Sequence, residues 1–281
     1  MSRSIIFTGS NINSLSPNVM TKSFPNGFVV RDDEEMCLLN CFVNYSWFNI
    51  TNSYQNNTVG YTMPQSGSTV YPVNFGNVFL QVSDISAYIQ QVMIANGHYL
   101  VDNYGQTVTY FSCQSNASSY GITCSFTPLP SSLPNGWTNP ANLALSSGNA
   151  KTQQLVFDNL QFSTLFGFNP STSVPATPSS VFVYVNSVRV PQLTPNAGNF
   201  ITCDLVNEPN LNVYPNIIYS FTPNVAFGSQ IIVQPQNLMF YRCIGGIKSS
   251  ISITFLDGAF NNLQLLDSNV VLTIVIRKRQ K

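Results

Sequence analysis

Apolar side chains recur at every second position in run after run of this chain, and each run is closed by Asn, Gly, Pro or Ser. A period of two belongs to extended strands with one face buried, and those four residue types supply the turns between them. Runs of this kind cover 28–30, 36–49, 59–63, 68–75, 99–101 and 107–113. They return at 181–190, 199–206, 217–222, 229–233, 238–244, 250–255 and 270–277. One segment breaks the rule. Between Ser83 and Gly97, the residues Ile85, Tyr88, Ile89, Val92 and Met93 fall at i, i+3, i+4, i+7 and i+8. That spacing predicts a helix over about 84–95, capped by Ser83, stopped by Asn96-Gly97, and packed through Ile85, Ile89 and Val92. A second, shorter helical turn is expected at 158–166, ended by Gly167.

Many strands, one strong helix and long polar connections predict an all-β chain: a single jelly roll, that is, a Greek-key β-sandwich, with one main helix and a loop-rich outward insertion. Residues 1–22 are polar and aperiodic and end at Phe24-Pro25-Asn26-Gly27, which reads as an N-terminal arm followed by a turn. Residues 23–281 would then form the jelly roll. The insertion is expected near 113–150, where Pro128, Pro130, Pro134 and Pro140 interrupt a Ser- and Asn-rich stretch. No repeat of fixed period is visible.

Composition narrows the function. Eleven Lys and Arg balance eleven Asp and Glu, and only 8% of residues are charged, about a third of the usual share. Without a basic excess there is no general source of counterion release on nucleic acid, so such a partner is expected only through the basic C-terminus. So few charges also protect a lone monomer poorly against self-association, which favours assembly. The first ten residues lack the apolar core of a secretory signal, and no window reaches eighteen apolar residues. These features predict neither secretory export nor a membrane span. In that context Cys37, Cys41, Cys113, Cys124, Cys203 and Cys243 are expected to be reduced and buried, with Cys37 and Cys41 on one strand face and no disulfide or zinc. The sequons at Asn44, Asn49, Asn56 and Asn116 are then the chance product of an Asn-rich chain.

Catalytic provision is thin. His98 is the only histidine, no G-x-S-x-G stands near it, and no phosphate loop, dinucleotide fingerprint or H-E-x-x-H occurs. No catalytic residue, cofactor or metal is expected, and the chain is read as a non-enzyme. The run Asp32-Asp33-Glu34-Glu35 lacks the alternating pattern of a calcium loop and reads as a solvated turn. Arg277, Lys278, Arg279 and Lys281 crowd the C-terminus as candidate contacts to an acidic neighbour, or simply as a solubilising end that blocks edge pairing. Trp137, in a Pro-Asn-Gly turn, is the candidate outward contact.

Several segments in order resemble a known family. They are Asn44-Tyr45-Ser46-Trp47-Phe48-Asn49-Ile50-Thr51, the Asn56-Asn57-Thr58 turn, the helix with Asp84, Tyr88 and Ile89 followed by Asn96-Gly97-His98-Tyr99, and Phe166-Gly167-Phe168. In the last third they are Asn207, Tyr214-Pro215-Asn216-Ile217-Ile218-Tyr219-Ser220-Phe221, Gly228, Ile253-Thr254-Phe255-Leu256-Asp257-Gly258, and Leu265-Leu266-Asp267 leading into 271–277. Together they resemble the penton proteins, the single jelly-roll minor capsid proteins of virophages and Polinton-like viruses. The 113–150 stretch has no counterpart in that pattern. The resemblance implies a structural virion protein whose homopentamers close icosahedral vertices and touch a double jelly-roll major capsid protein, after assembly in an infected host cell. A jelly roll can instead be a carbohydrate- or receptor-binding module reading a host receptor or glycan, for which Trp137 is the pointer. A cupin-type enzyme would need several histidines.

Overall fold

The computed structural model describes residues 2–146, 150–194, 198–206 and 216–279. Two compact units emerge: Met1–Trp47 with Asn196–Lys281, and the intervening Phe48–Pro195. In chain order, the first unit opens with β1 (Ser2–Thr8), β2 (Ile12–Asn13), β3 (Ser16–Val30) and β4 (Glu34–Asn44). The inserted unit carries β5 (Thr58–Thr62), β6 (Val70–Asn74), α1 (Val82–Ala95), β7 (Leu100–Val101), β8 (Thr107–Val108), β9 (Phe111–Asn116) and β10 (Gly121–Phe126). It continues with β11 (Gln154–Phe157), α2 (Leu160–Phe166), β12 (Thr172–Val174) and β13 (Val183–Asn186). The first unit resumes with β14 (Asn199–Cys203), β15 (Ile217–Phe221), β16 (Gln230–Val233), β17 (Tyr241–Arg242), β18 (Gly246–Leu256) and β19 (Val271–Lys278).

The first unit is a jelly roll by strand order. One sheet runs β1-β19-β4-β16, with β17 also on β4, and the other runs β15-β14-β18-β3-β2. Setting aside the two-residue strands β2 and β17, eight long strands remain. Ranked along the chain, they give the orders first-eighth-third-sixth and second-seventh-fourth-fifth, which is the double Greek key of a jelly roll. All pairings are antiparallel. Alternation points Ile5, Phe7, Leu272, Ile274 and Ile276 inward from one sheet and Ile251, Ile253 and Phe255 from the other, each at most 5% exposed. The inserted unit therefore interrupts the chain between the third and fourth strands of the roll.

Two bulges explain where the sequence misleads. Residues 1–22 are not an arm: β1 pairs with β19 from Ser2↔Arg277 to Thr8↔Val271, and β3 already begins at Ser16. The Phe24-Pro25-Asn26-Gly27 segment is an irregularity inside β3. The register jumps there from Lys248↔Phe28 to Ser250↔Ser23, and Gly27 takes a left-handed φ of 74°. A proline tolerated at a bulge looks like a strand end in sequence. In β4 the register slips between Leu38 and Asn40, opposite Ile274 and Thr273, which leaves Leu39 extra. A one-residue slip exchanges the faces. Met36 and Leu38 point inward before the bulge and Cys41 and Val43 after it, so Cys37 and Cys41 lie on opposite faces rather than one.

The inserted unit has its own core. Its sheets are β12-β11-β5-β6, β13-β10-β9 and β7-β8. Residues 111–126, expected to open a loop-rich insertion at 113, form the β9-β10 hairpin, so the insertion is a folded unit reaching from 48 to 195. Helix α1 buries Ile85, Ile89 and Met93 while Val92 packs from its flank. It is tied to β9 by Ser86 Oγ, which accepts from Cys113 N at 2.9 Å, and by Gln90 Nε2, which donates to Phe111 O at 2.7 Å. Gln81 rather than Ser83 is its N-cap, with the Gln81 N–H donating to Asp84 Oδ2 at 3.0 Å. The expected stop holds. Gly97 is left-handed at φ 76°, and His98 N and Gly97 N donate to Met93 O and Ile94 O at 2.8 and 2.9 Å, closing the last turn. Helix α2 is capped by Asn159, whose side-chain oxygen accepts from Gln161 N and Phe162 N. It buries Phe162 and Phe166 in a run of ring contacts with Phe75, Phe157 and Phe168 at centroid distances of 4.9–6.3 Å.

Candidate functional site

The acidic run and the basic end meet. The turn between β3 and β4 carries Asp32 and Asp33, and Glu34 and Glu35 open β4, where they pair with Lys278 and Arg277 of β19. Arg3 Nη2 pairs with Glu34 Oε2 at 2.6 Å, Arg277 Nε with Glu35 Oε1 at 2.7 Å, and Lys278 Nζ with Asp33 Oδ2 at 3.3 Å. Arg279 N donates to Asp33 O at 2.7 Å. Each arginine also lies over a ring, Arg3 over Phe28 at 4.5 Å and Arg277 over Phe240 at 3.4 Å. Pairs of this type near the surface contribute about 1 kcal/mol or less each, and together they tie the first and last strands, β1 and β19, to the start of β4. Of the candidate contact residues, Arg277 and Lys278 are thus committed within the chain. The Arg279 side chain is exposed, with no ion pair among the described residues, and Lys281 lies outside the described residues.

The jelly roll's outer surface was not anticipated from sequence. On the β1-β19-β4-β16 sheet, Val271 is paired with Phe42, and Phe42 with Ile232 on the next strand. Ile232 is 58% exposed and Ile6 50%, and Val271 and Leu39 are also open to solvent. An apolar row crossing neighbouring strands on a solvent face is the kind of patch that marks an interface. Its sequence signal was present: Ile5-Ile6, Ile231-Ile232 and Val270-Val271 are apolar doublets. Adjacent residues of a strand face opposite ways, so each doublet places one apolar side chain outside.

In the inserted unit, Trp137 sits in the expected turn, its backbone N–H donating to Pro134 O at 3.1 Å, but its side chain is half-buried against the unit's core rather than held out to solvent. His98 joins a polar cluster. Asn96 Nδ2 donates to the Tyr61 hydroxyl oxygen at 2.9 Å, and the same hydroxyl lies 2.8 Å from His98 Nδ1, to which its O–H can donate. Desolvation lowers the His98 pKa from its usual 6.5 and raises that of Tyr61 to about 12. A tyrosine that holds its proton is no base for the imidazole. All six cysteines are buried, and burial pushes the Cys41 and Cys243 thiols up to about 12, far from the thiolate form. Among the described residues no three His, Cys, Asp or Glu side chains are grouped to hold a metal, and no helix is long and apolar enough to cross a membrane.

Fold and surface together define a class: a jelly roll with a folded insertion between its third and fourth strands, presenting an apolar sheet face. No known protein family and no curated protein matches the sequence. Among solved structures, the penton protein of mavirus is similar over 99% of both chains, at a TM-score of 0.47 and 9% sequence identity. The jelly-roll assignment stands on the strand order, independently of that likeness.

Proposed function

We propose that this chain is a structural virion protein of the penton type, whose homopentamers close icosahedral vertices beside a double jelly-roll major capsid protein. The observation that carries the reading is the exposed apolar row on the β1-β19-β4-β16 sheet. Leaving Ile6, Ile232 and Val271 in water forgoes on the order of 25 cal/mol for each Å² that an interface would cover. A ring repeats one side-to-side contact between unlike surfaces of identical subunits, and a neutral Asn- and Ser-rich rim costs less to desolvate than a charged one. The sequence resemblance to penton proteins points the same way, as does a chain with 8% charged residues. Arg279 and Lys281 are the tail residues proposed to reach a neighbouring capsid protein or the particle interior. Native mass spectrometry of the purified protein tests the stoichiometry: rings of five support the reading, and a stable monomer or trimer at micromolar concentration counts against it.

A further inference from the structure

The inserted unit holds a cleft of about 210 Å³ lined by Met63, Gln65, Ser66, Tyr71, Asn96, Gly97, His98 and residues 141–144. It is smaller than the ~300–1,000 Å³ of drug-sized pockets, which suits a single ring. Its polar groups are prearranged. With the Tyr61 hydroxyl assigned as the donor to Nδ1, since its oxygen already accepts from Asn96, the neutral His98 imidazole carries its proton on Nε2 and offers that N–H as a donor. Gln65 is oriented in turn: its Nε2 donates to Ser146 Oγ at 3.0 Å, while its Oε1 is shielded from solvent and has no hydrogen-bond partner among the described residues. A buried acceptor left without a partner is costly, and a ligand hydroxyl would satisfy it. The Tyr71 ring, which meets His98 edge-on at 4.5 Å, and the Met63 side chain supply an apolar wall. No residue lining the cleft carries a formal charge, so nothing in it would balance a phosphate or carboxylate.

We propose that this cleft binds one ring of a neutral saccharide, with a ligand oxygen accepting from His98 Nε2–H, a ligand hydroxyl donating to Gln65 Oε1 once the side chains that shield it turn aside, and the C–H face of the sugar against Tyr71 and Met63. The proposal does not depend on the capsid reading, and it places carbohydrate recognition at His98 and Gln65 rather than at Trp137. Because His98 is the sole histidine, its ring resonances report on this cleft alone. The test is NMR of the full-length protein, following the His98 ring while methyl glycosides of neutral hexoses and of N-acetylhexosamines are added, with sialic acid as the anionic control. At least one neutral glycoside should shift the His98 signals saturably in the millimolar range, and sialic acid should not. Gln65→Ala should weaken that binding roughly tenfold, about the effect of one lost hydrogen bond, with an unchanged circular dichroism spectrum. Trp137→Phe should leave it unchanged. The proposal is overturned if no neutral glycoside moves the His98 signals at tens of millimolar, if sialic acid moves them equally, or if the Gln65→Ala protein binds as well as the parent.

Discussion

The two units solve the burial problem differently. The jelly roll is assembled from strands far apart in the chain, with Ser2–Thr8 paired to Val271–Lys278, whereas the inserted unit is one contiguous stretch with both helices and most of the stacked phenylalanines. Charge separates them too. Only Asp84, Asp102, Lys151, Asp158 and Arg189 fall within 48–195, so seventeen of the twenty-two charged residues belong to the jelly roll. The roll spends several of them joining its first and last strands through Arg3, Glu34, Glu35 and Arg277. Apart from those five charged residues, the insertion's polar side chains are neutral amides and hydroxyls and one imidazole. The difference teaches that low overall charge is not spread evenly: one unit keeps ion pairs at its ends and an apolar outer row, and the other keeps a neutral cleft.

The largest expected effect comes from the N-terminus. An arm could be removed without harm, but deleting residues 1–20 removes β1, β2 and part of β3, strips the partner from one edge of β19, and should leave no cooperatively folded jelly roll. Circular dichroism and thermal unfolding of the truncated protein decide this, and a native-like melting curve would mean that β1 contributes little. Next is Ile89→Asp in α1, which places an unpaired charge in a fully buried site and should cost several kcal/mol. Trp47 lies in the jelly roll and Trp137 in the insertion, so single-tryptophan variants let denaturant unfolding be followed in each unit. The loss should appear in the Trp137 signal. Asn159→Ala, which removes the cap of α2, should cost about 1 kcal/mol, read from the same transition.

The smallest effect is one of pH. Folding lowers the pKa of His98, so the unfolded chain takes up its proton first as pH falls. Stability contributed by neutral His98 is therefore complete above about 6.5 and declines as pH falls below it, until the folded imidazole is protonated as well. Comparing unfolding midpoints at pH 7.5 and 5.5 for the parent and for His98→Gln measures this. The difference should shrink in the variant, and an identical pH response would locate the effect elsewhere.

What the sequence disclosed follows from how local each feature is. Helix α1 was legible because its 3.6-residue period and Asn96-Gly97 stop are contained within fifteen residues. Strands β5, β15, β16 and β19 were legible because alternation and turn residues bound them. The bulges in β3 and β4 were not, since a Pro-Asn-Gly sequence reads as a turn unless the partner strand, more than two hundred residues away, is known to continue past it. Strand β10 was hidden by the Ser- and Pro-rich composition around it. The pairing of Asp33, Glu34 and Glu35 with basic residues of the two ends is a consequence of topology, so the acidic and basic runs were each read alone. The cleft at His98 was equally hidden, because it joins Gln65, Asn96 and Ala141 from three separate loops.

The central claim is that the protein assembles through the jelly roll's outer sheet face. The direct measurement is native mass spectrometry of the parent, of Ile232→Asp in that face, and of Val188→Asp at a similarly exposed position of the insertion, where the residue is 64% exposed. The account predicts rings of five for the parent and for Val188→Asp, and folded monomers for Ile232→Asp. Rings that survive Ile232→Asp but are lost in Val188→Asp would contradict it, as would a parent protein that remains a monomer.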